Sequence, residues 1–206
     1  MTRMMHFSRR RRGWAGLLGA AALAAVTGAG CSETVRTGQS PAYIIIDHIE
    51  GSSGASNSEP FTGVLRSDVV TKGSVYEDNG RAALRLALKD VTNPTGPTTN
   101  NHITINRYRV EFRRTDGRNT PGVDVPYPFE GAVAVTVTDQ TVQAVFSLVR
   151  VQAKLEPPLI TLRGMGGSLV ISTIADVTFF GKDQTGRDVT ATGSIGVNFA
   201  DWADPN

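Results

Sequence analysis

The chain has 206 residues, a formal net charge of +2 and one cysteine. A single domain of ordinary size accounts for that length, and one cysteine excludes an internal disulfide. With only three histidines in the chain, a zinc site of the usual Cys and His type is nearly excluded, because too few such ligands are present.

The first thirty residues have the pattern of an export signal. Four arginines (residues 9–12) precede an uncharged, apolar run from Trp14 to Val26, and small residues lead up to Cys31. A basic segment, an apolar segment of about a dozen residues and a small-residue cleavage region are typical of such signals. The apolar run is short for a membrane anchor, because a spanning helix needs roughly 20 residues.

The residues just before the cysteine carry a family resemblance. Gly28-Ala29-Gly30-Cys31 resembles the lipobox of bacterial lipoprotein precursors. The resemblance implies that the Cys31 sulfur is acylated, that cleavage occurs before it, and that the new amino group is acylated in turn. The sequence departs from the family at Gly28, where the family favours Leu. A second acyl chain converts marginal membrane binding into stable anchoring, so Cys31 is the predicted lipidation site and the membrane is a predicted partner.

Two other fates of the signal segment stay open. Ordinary signal peptidase cleavage after Gly30 would release a secreted protein with a free terminal thiol, and an uncleaved segment would remain as an anchor. Ser32 follows the predicted lipidation site, and in lipoprotein sorting a Ser there is compatible with outer-membrane delivery. We expect a lipid-anchored protein of the cell envelope, at the periplasmic side or surface of the outer membrane, with a secreted protein as the alternative.

The predicted organisation is a signal over residues 1–30, a polar tether over 31–41 and a domain over 42–206. Five of the 21 basic residues lie in the signal, whereas all 19 acidic residues follow it, so the remainder has a net charge of −3. The apparent basic character therefore belongs to the signal. No nucleic-acid partner is expected, because nucleic-acid binding usually shows as a basic patch on the folded domain.

The rest of the sequence favours β-strands. Short segments of alternating or β-branched apolar residues recur between turn signals, which predicts eight or nine strands in an all-β, antiparallel sandwich. An immunoglobulin-like Greek key is the preferred topology, with a jelly roll or small barrel as alternatives. Ten segments are candidates for these eight or nine strands: residues 43–49, 63–70, 74–77, 81–90, 102–114, 132–138, 142–154, 159–162, 169–180 and 189–199.

Three local patterns give sharper structural predictions. The apolar residues stand at odd positions through Ile105 but at even positions from Tyr108, which predicts a β-bulge or a change of sheet near Asn106. Asn79-Gly80 predicts a turn, and residues 51–58 predict a flexible surface loop. A tight turn around Asp139-Gln140 is expected to join the two strands beside it.

No catalytic constellation stands out, and neither a metal nor a cofactor is predicted. Gly51-Ser52-Ser53-Gly54 only superficially resembles the Gly-x-Ser-x-Gly turn of serine hydrolases. Neighbouring Asp47 and His48 would point to opposite faces of a strand, which argues against an acid–base pair. Asp183 and Asp188 supply oxygen ligands suited to calcium, but their spacing is more typical of a solvated hairpin tip.

Three arginines form the first candidate binding surface. Arg107, Arg109 and Arg113 share a strand face with Glu111, so they predict contact with an acidic partner or with anionic lipid head groups, or else ion-paired, solvated side chains. Pro126–Phe129 is a second candidate, either an exposed recognition loop or a segment buried at the edge of the sandwich.

The sequence thus favours a non-catalytic structural or binding module on a lipid anchor, with an envelope protein or a glycan as possible partners. The alternatives are a secreted or anchored glycan-active enzyme and a sugar-binding domain, since a fold does not determine function by itself.

Overall fold

Eight β-strands dominate the part of the chain that the structure describes. The computed structural model describes residues 39–55, 60–92 and 96–202; the predicted signal segment, Cys31 and most of the predicted tether lie outside these ranges. The strands are β1 (Ala42–Ser52), β2 (Val64–Asp68), β3 (Asp78–Leu88), β4 (Ile103–Arg113), β5 (Phe129–Val137), β6 (Val142–Val149), β7 (Ile171–Asp183) and β8 (Asp188–Ala200). The helices are α1 (Val151–Leu155) and two 3₁₀ helices, Thr99–Asn101 and Leu159–Leu162. Within the described ranges, no helix is long and apolar enough to cross a membrane.

The strands form two sheets that pack face to face, which confirms the predicted all-β sandwich. One sheet has the order β1-β3-β6 and the other the order β2-β8-β7-β4-β5. The strand order is immunoglobulin-like. With β1, β3 and β6 lettered A, B and E, the first sheet is ABE. With β4, β5, β7 and β8 lettered C, C′, F and G, the second sheet is GFCC′, and β2 lies beside G. The pairing is antiparallel except between β2 and β8, which run parallel.

Aromatic side chains from both sheets fill the centre of the sandwich. The ring of Phe146 on β6 lies 5.1 Å from that of Tyr108 on β4 and 5.4 Å from that of Phe179 on β7, measured between ring centroids. All three residues are buried. These separations and tilted or edge-to-face angles are those that aromatic pairs prefer, so the three rings join the two sheets.

The predicted bulge near Asn106 is confirmed. The register of β4 shifts between Ile105 and Arg107 against both of its neighbours, β5 and β7. Before the shift Ile105 is buried, and after it Tyr108 and Val110 are buried. The extra residue reverses the alternation of faces, so the apolar residues on both sides of the bulge point into one core.

The predicted turn at Asn79-Gly80 is wrong, because both residues lie inside β3 and pair with β1 and β6. A Cβ atom on Gly80 would stand 2.6 Å from ring atoms of Phe146. Glycine at position 80 therefore leaves space for the Phe146 ring, and the backbone does not turn there.

The segment after β6 also differs from the prediction. The strand expected over 142–154 ends at Val149 and is followed by α1, and the strand expected over 159–162 is a 3₁₀ helix. Leu159 and Leu162 are nevertheless buried, because a short helical turn can direct apolar side chains inward without a neighbouring strand. The segment expected as a strand at 74–77 contributes only an isolated bridge between Thr71 and Ser74.

The connection between β5 and β6 crosses from one sheet to the other. The Gln140 N–H donates to the Thr138 hydroxyl across the expected turn, but β5 and β6 belong to different sheets. The two strands therefore do not form a hairpin. The hairpin expected at the end of the chain is present as β7 and β8, which pair from Ile171 with Phe199 to Lys182 with Asp188.

The register defines two ends of the sandwich. Ala42 at the start of β1 pairs with Leu88 at the end of β3, and the Leu86 N–H donates to Thr138 just after β5. We call this the N-terminal end; it carries the connections that follow β3, β5 and β7. The far end carries the connections that follow β1, β2, β4 and β6.

Candidate functional site

The start of the described domain limits how far it can stand from the predicted anchor. Gln39, Ser40 and Pro41 already contact the sandwich: the Ser40 hydroxyl accepts from the Ala42 N–H at 3.2 Å, and the Pro41 carbonyl accepts from the Lys89 N–H at 2.9 Å. Eight residue steps separate Cys31 from Gln39. A fully extended chain of that length spans no more than about 29 Å.

The three arginines predicted as a binding surface lie on one face of β4, and each contacts an acidic side chain. Arg107 Nη1 is 2.6 Å from Glu130 Oε2, and the guanidinium also stacks on Phe180 at 4.0 Å. Arg109 Nη2 is 3.5 Å from Glu111 Oε2 and its Nη1 is 3.8 Å from Glu130 Oε1.

Arg113, the third arginine, also contacts an acidic side chain. Arg113 Nε is 2.5 Å from Asp176 Oδ2 on β7. Burial alone would raise the pKa of Asp176, but hydrogen bonds from Arg113 and Ser194 outweigh it and lower that pKa. Three cations thus face three carboxylates, and such a neutralised array exerts little long-range attraction on an acidic ligand. Binding by this surface stays a prediction.

A surface cavity of about 430 Å³ borders the bulge in β4 beside these arginines. Its lining includes Arg107, Phe180, Lys182 and Asp188. Lys182 Nζ lies 2.6 Å from Asp188 Oδ1, so this charge is also paired within the protein. The cavity therefore presents the Phe180 ring and charged side chains that are already paired within the protein.

The two aspartates weighed as calcium ligands serve different purposes. Asp183 Oδ1 accepts the Thr185 and Arg187 N–H groups at 2.9 and 3.0 Å and the Thr185 hydroxyl at 2.6 Å. Burial would raise the pKa of Asp183, but these hydrogen bonds hold it below its usual value. Asp183 thus shapes the β7–β8 turn, while Asp188 pairs with Lys182. Among residues 39–55, 60–92 and 96–202, no three His, Cys, Asp or Glu side chains cluster as a metal site would require.

Asp47 and His48, which were weighed as an acid–base pair, each contact a different residue. A register shift in β1 lies between Ile46 and His48; Asp47 pairs with Arg85 at 2.9 Å, and His48 Nε2 lies 3.9 Å from Glu50 Oε2. The acid–base partner considered for His48 is therefore engaged elsewhere.

The predicted flexible loop begins later than expected. Gly51 and Ser52 belong to β1, and Ser53 is buried with its hydroxyl accepting from the Ala55 N–H at 3.4 Å. The remainder of that prediction, residues 56–58, lies outside the described ranges. In the other loop candidate, Phe129 is buried at the start of β5, whereas Tyr127 is 54% exposed.

A buried ion pair that the sequence analysis did not predict lies at the far end. Lys154 Nζ lies 2.9 Å from both carboxylate oxygens of Asp78, with the two side chains 1% and 0% exposed. The Ser67 hydroxyl donates to Asp78 Oδ2 at 2.6 Å and the Gly54 N–H donates to Oδ1 at 3.2 Å. Burial raises the pKa of Asp78, while Lys154, Ser67 and Gly54 partly oppose that rise.

This group of residues, which we call the Asp78–Lys154 cluster, connects four parts of the fold. Gly54 follows β1, Ser67 lies in β2, Asp78 opens β3 and Lys154 lies in α1. Partners so distant in sequence have no local pattern, which is why the sequence did not indicate them. The cluster attaches the segment between β6 and β7 to the sandwich.

Fold and contacts together define an immunoglobulin-like sandwich with ion-paired outer faces. No protein-family model matches the chain, and no curated protein is significantly similar to it.

Proposed function

We propose that this protein is a lipid-anchored protein of the cell envelope whose β-sandwich is a non-catalytic structural or binding module. The observation that carries the proposal is Cys31, preceded by small residues, an apolar run and four arginines. Acylation of its sulfur and of its amino group would supply the two chains that stable anchoring requires.

The short connection to the domain supports this assignment. Because at most about 29 Å of chain lies between Cys31 and Gln39, an anchored sandwich would stay next to the bilayer. The N-terminal end, where β1 begins, would lie on the membrane side, and the far end would point away from it.

The far end has the composition expected of a contact surface. Large apolar side chains are exposed in the two connections that follow β4 and β6, and we infer that they form a contiguous apolar patch of the kind that marks interaction sites. They are Val123, Tyr127, Leu155, Ile160, Met165, Leu169 and Val170. In the proposed orientation these groups would meet an envelope protein or a glycan.

Metabolic labelling with a fatty acid tests the anchor. We expect the wild-type protein to carry the label and to fractionate with membranes, and Cys31→Ala to lose both properties. Ser32→Ala is the matched control, because it changes the next residue and leaves the thiol in place. An unlabelled wild-type protein, or label retained by Cys31→Ala, would contradict the proposed anchor.

A second measurement addresses the non-catalytic module. Incubation of the purified protein with isolated cell-envelope glycans should release no sugar products. Release of soluble fragments, absent with heat-denatured protein, would favour the alternative of a glycan-active enzyme.

A further inference from the structure

The Asp78–Lys154 cluster brings an amine and a carboxyl group together where both side chains are buried. Lys154 Nζ is 2.9 Å from Asp78 Oδ1 and 2.9 Å from Oδ2. A nitrogen equally close to both oxygens lies within roughly 3–3.5 Å of the carbon between them, which is the separation of a near-attack arrangement. The Lys154 amine and the Asp78 carboxyl carbon are therefore within reacting distance of each other.

Condensation requires a neutral amine and a neutral carboxylic acid, and burial favours the neutral form of the Asp78 carboxyl. An ammonium group has no lone pair for attack, and a carboxylate is a poor electrophile. A low-dielectric site disfavours both charges, and the raised pKa of Asp78 is in keeping with this. Transfer of one proton from Lys154 to Asp78 gives an amine beside a carboxylic acid.

The two other members of the cluster are placed on the oxygens that change during such a reaction. The Gly54 N–H, at 3.2 Å from Oδ1, would stabilise negative charge that develops there, as donors in an oxyanion hole do. The Ser67 hydroxyl, at 2.6 Å from Oδ2, would hydrogen-bond to the oxygen that departs.

We propose that Lys154 and Asp78 condense to form an intramolecular isopeptide bond. The Lys154 nitrogen lone pair attacks Asp78 Cγ, and a C–N bond forms. The C–Oδ2 bond then breaks, and Oδ2 leaves as water after taking a proton from the nitrogen. One amide and one water replace one amine and one carboxylic acid, with no oxidant or co-reactant. Holding both groups in place supplies an effective concentration of about 10⁵–10⁸ M in favourable cases, which accelerates the attack on Asp78 Cγ.

The bond would give this chain a covalent link that its composition otherwise denies it. The single cysteine at position 31 leaves no pair for a disulfide. Asp78 and Lys154 are 76 residues apart, so their linkage would close a long loop and restrict the unfolded chain as a disulfide does. The link would also secure the segment between β6 and β7 to β3. This inference does not depend on lipidation at Cys31.

Peptide mapping of the denatured, full-length protein tests the proposal directly. Trypsin cuts after Lys and Arg, so an unlinked chain yields separate peptides 73–81, 151–154 and 155–163. The isopeptide bond would block cleavage after Lys154. We expect one branched species that joins peptide 73–81 to peptide 151–163, lighter than the sum of the two by the mass of one water.

Lys154→Arg is the matched control, because it keeps a cation in the site but removes the nucleophilic amine. It should yield no branched species. Recovery of only the separate peptides from the wild-type protein would overturn the proposal, whatever the stability of the variant. A branched species in Lys154→Arg would overturn it equally, because the link would then involve another residue.

Discussion

Gly80→Ala tests the claim that the aromatic core dictates a glycine in β3. The added Cβ would stand 2.6 Å from both Cε2 and Cζ of Phe146. That ring is held between Tyr108 and Phe179, whose centroids lie 5.1 and 5.4 Å away, so it has little room to retreat.

The expected cost follows from two opposing effects. Overpacking a core destabilises a protein by about 1–3 kcal/mol, whereas replacing Gly by Ala restricts the unfolded chain and returns about 0.4–1 kcal/mol. We therefore expect Gly80→Ala to lower the free energy of unfolding by about 1–2 kcal/mol. Urea unfolding followed by Trp202 fluorescence measures this as a lower midpoint at an unchanged slope.

Gly63→Ala is the matched control. A Cβ atom on Gly63 would meet nothing within 4 Å, so this variant should be as stable as the wild type or slightly more stable. Phe146→Leu supplies a second check, because a smaller side chain opposite position 80 leaves space for the methyl group. The double variant should lose less than the sum of the two single losses, by about 0.5–3 kcal/mol. Equal stability of Gly80→Ala and Gly63→Ala, or strict additivity in the double variant, would refute the reasoning.

Two further predictions concern acidic side chains. Arg113→Ala should cost less than about 1 kcal/mol, because its pair with Asp176 is partly exposed; the pKa of Asp176, followed by NMR, should rise. Asp183→Asn should cost about 1–3 kcal/mol at pH 7, since it weakens charged hydrogen bonds to Thr185 and Arg187. The folded-state pKa of Asp183 is lowered, so its contribution is present above the unfolded pKa and lost as pH falls through the folded one. Thermal unfolding as a function of pH should show a smaller acid-dependent loss in the variant, and parallel curves for variant and wild type would contradict this assignment.

Patterns of alternating burial were the part of the fold that the sequence predicted best. In β4 the switch of apolar residues from odd to even positions required an extra residue, because each strand side chain is fixed to one face by its position. The same logic located β7 and β8, where buried residues alternate along both arms of the hairpin. The alternation of apolar residues along a strand predicts which of its faces is buried, and this prediction does not require knowledge of the partner strand.

Local turn chemistry was less reliable than alternation. Asn79-Gly80 has the composition of a two-residue hairpin turn, yet the environment of Gly80 is set by Phe146, which lies far along the chain. Leu159 and Leu162 were similarly misassigned, because a short apolar run after two prolines indicates burial without indicating whether the backbone is extended or helical. In both places contacts from distant elements outweighed the local preference.

The candidate surfaces show the same limit. The clustering of Arg107, Arg109 and Arg113 was visible in the sequence, but two of their acidic partners, Glu130 and Asp176, come from other strands. A sequence reveals charges along one strand and hides the charges that face them from its neighbours. The same limit hid the Asp78–Lys154 cluster, whose members contact one another only in the folded domain.

The position of that cluster connects the stability of the domain to its proposed role. Residues 150–170 form the longest connection between strands and contain most of the exposed apolar groups of the far end. A segment of this length would lose much conformational entropy on binding a partner if it were free to move. The contact between Lys154 and Asp78 attaches this segment to the first residue of β3 whether or not a partner is bound. The buried pair, and still more an isopeptide bond, would thus preorganise the apolar side chains of this segment that are proposed to meet a partner.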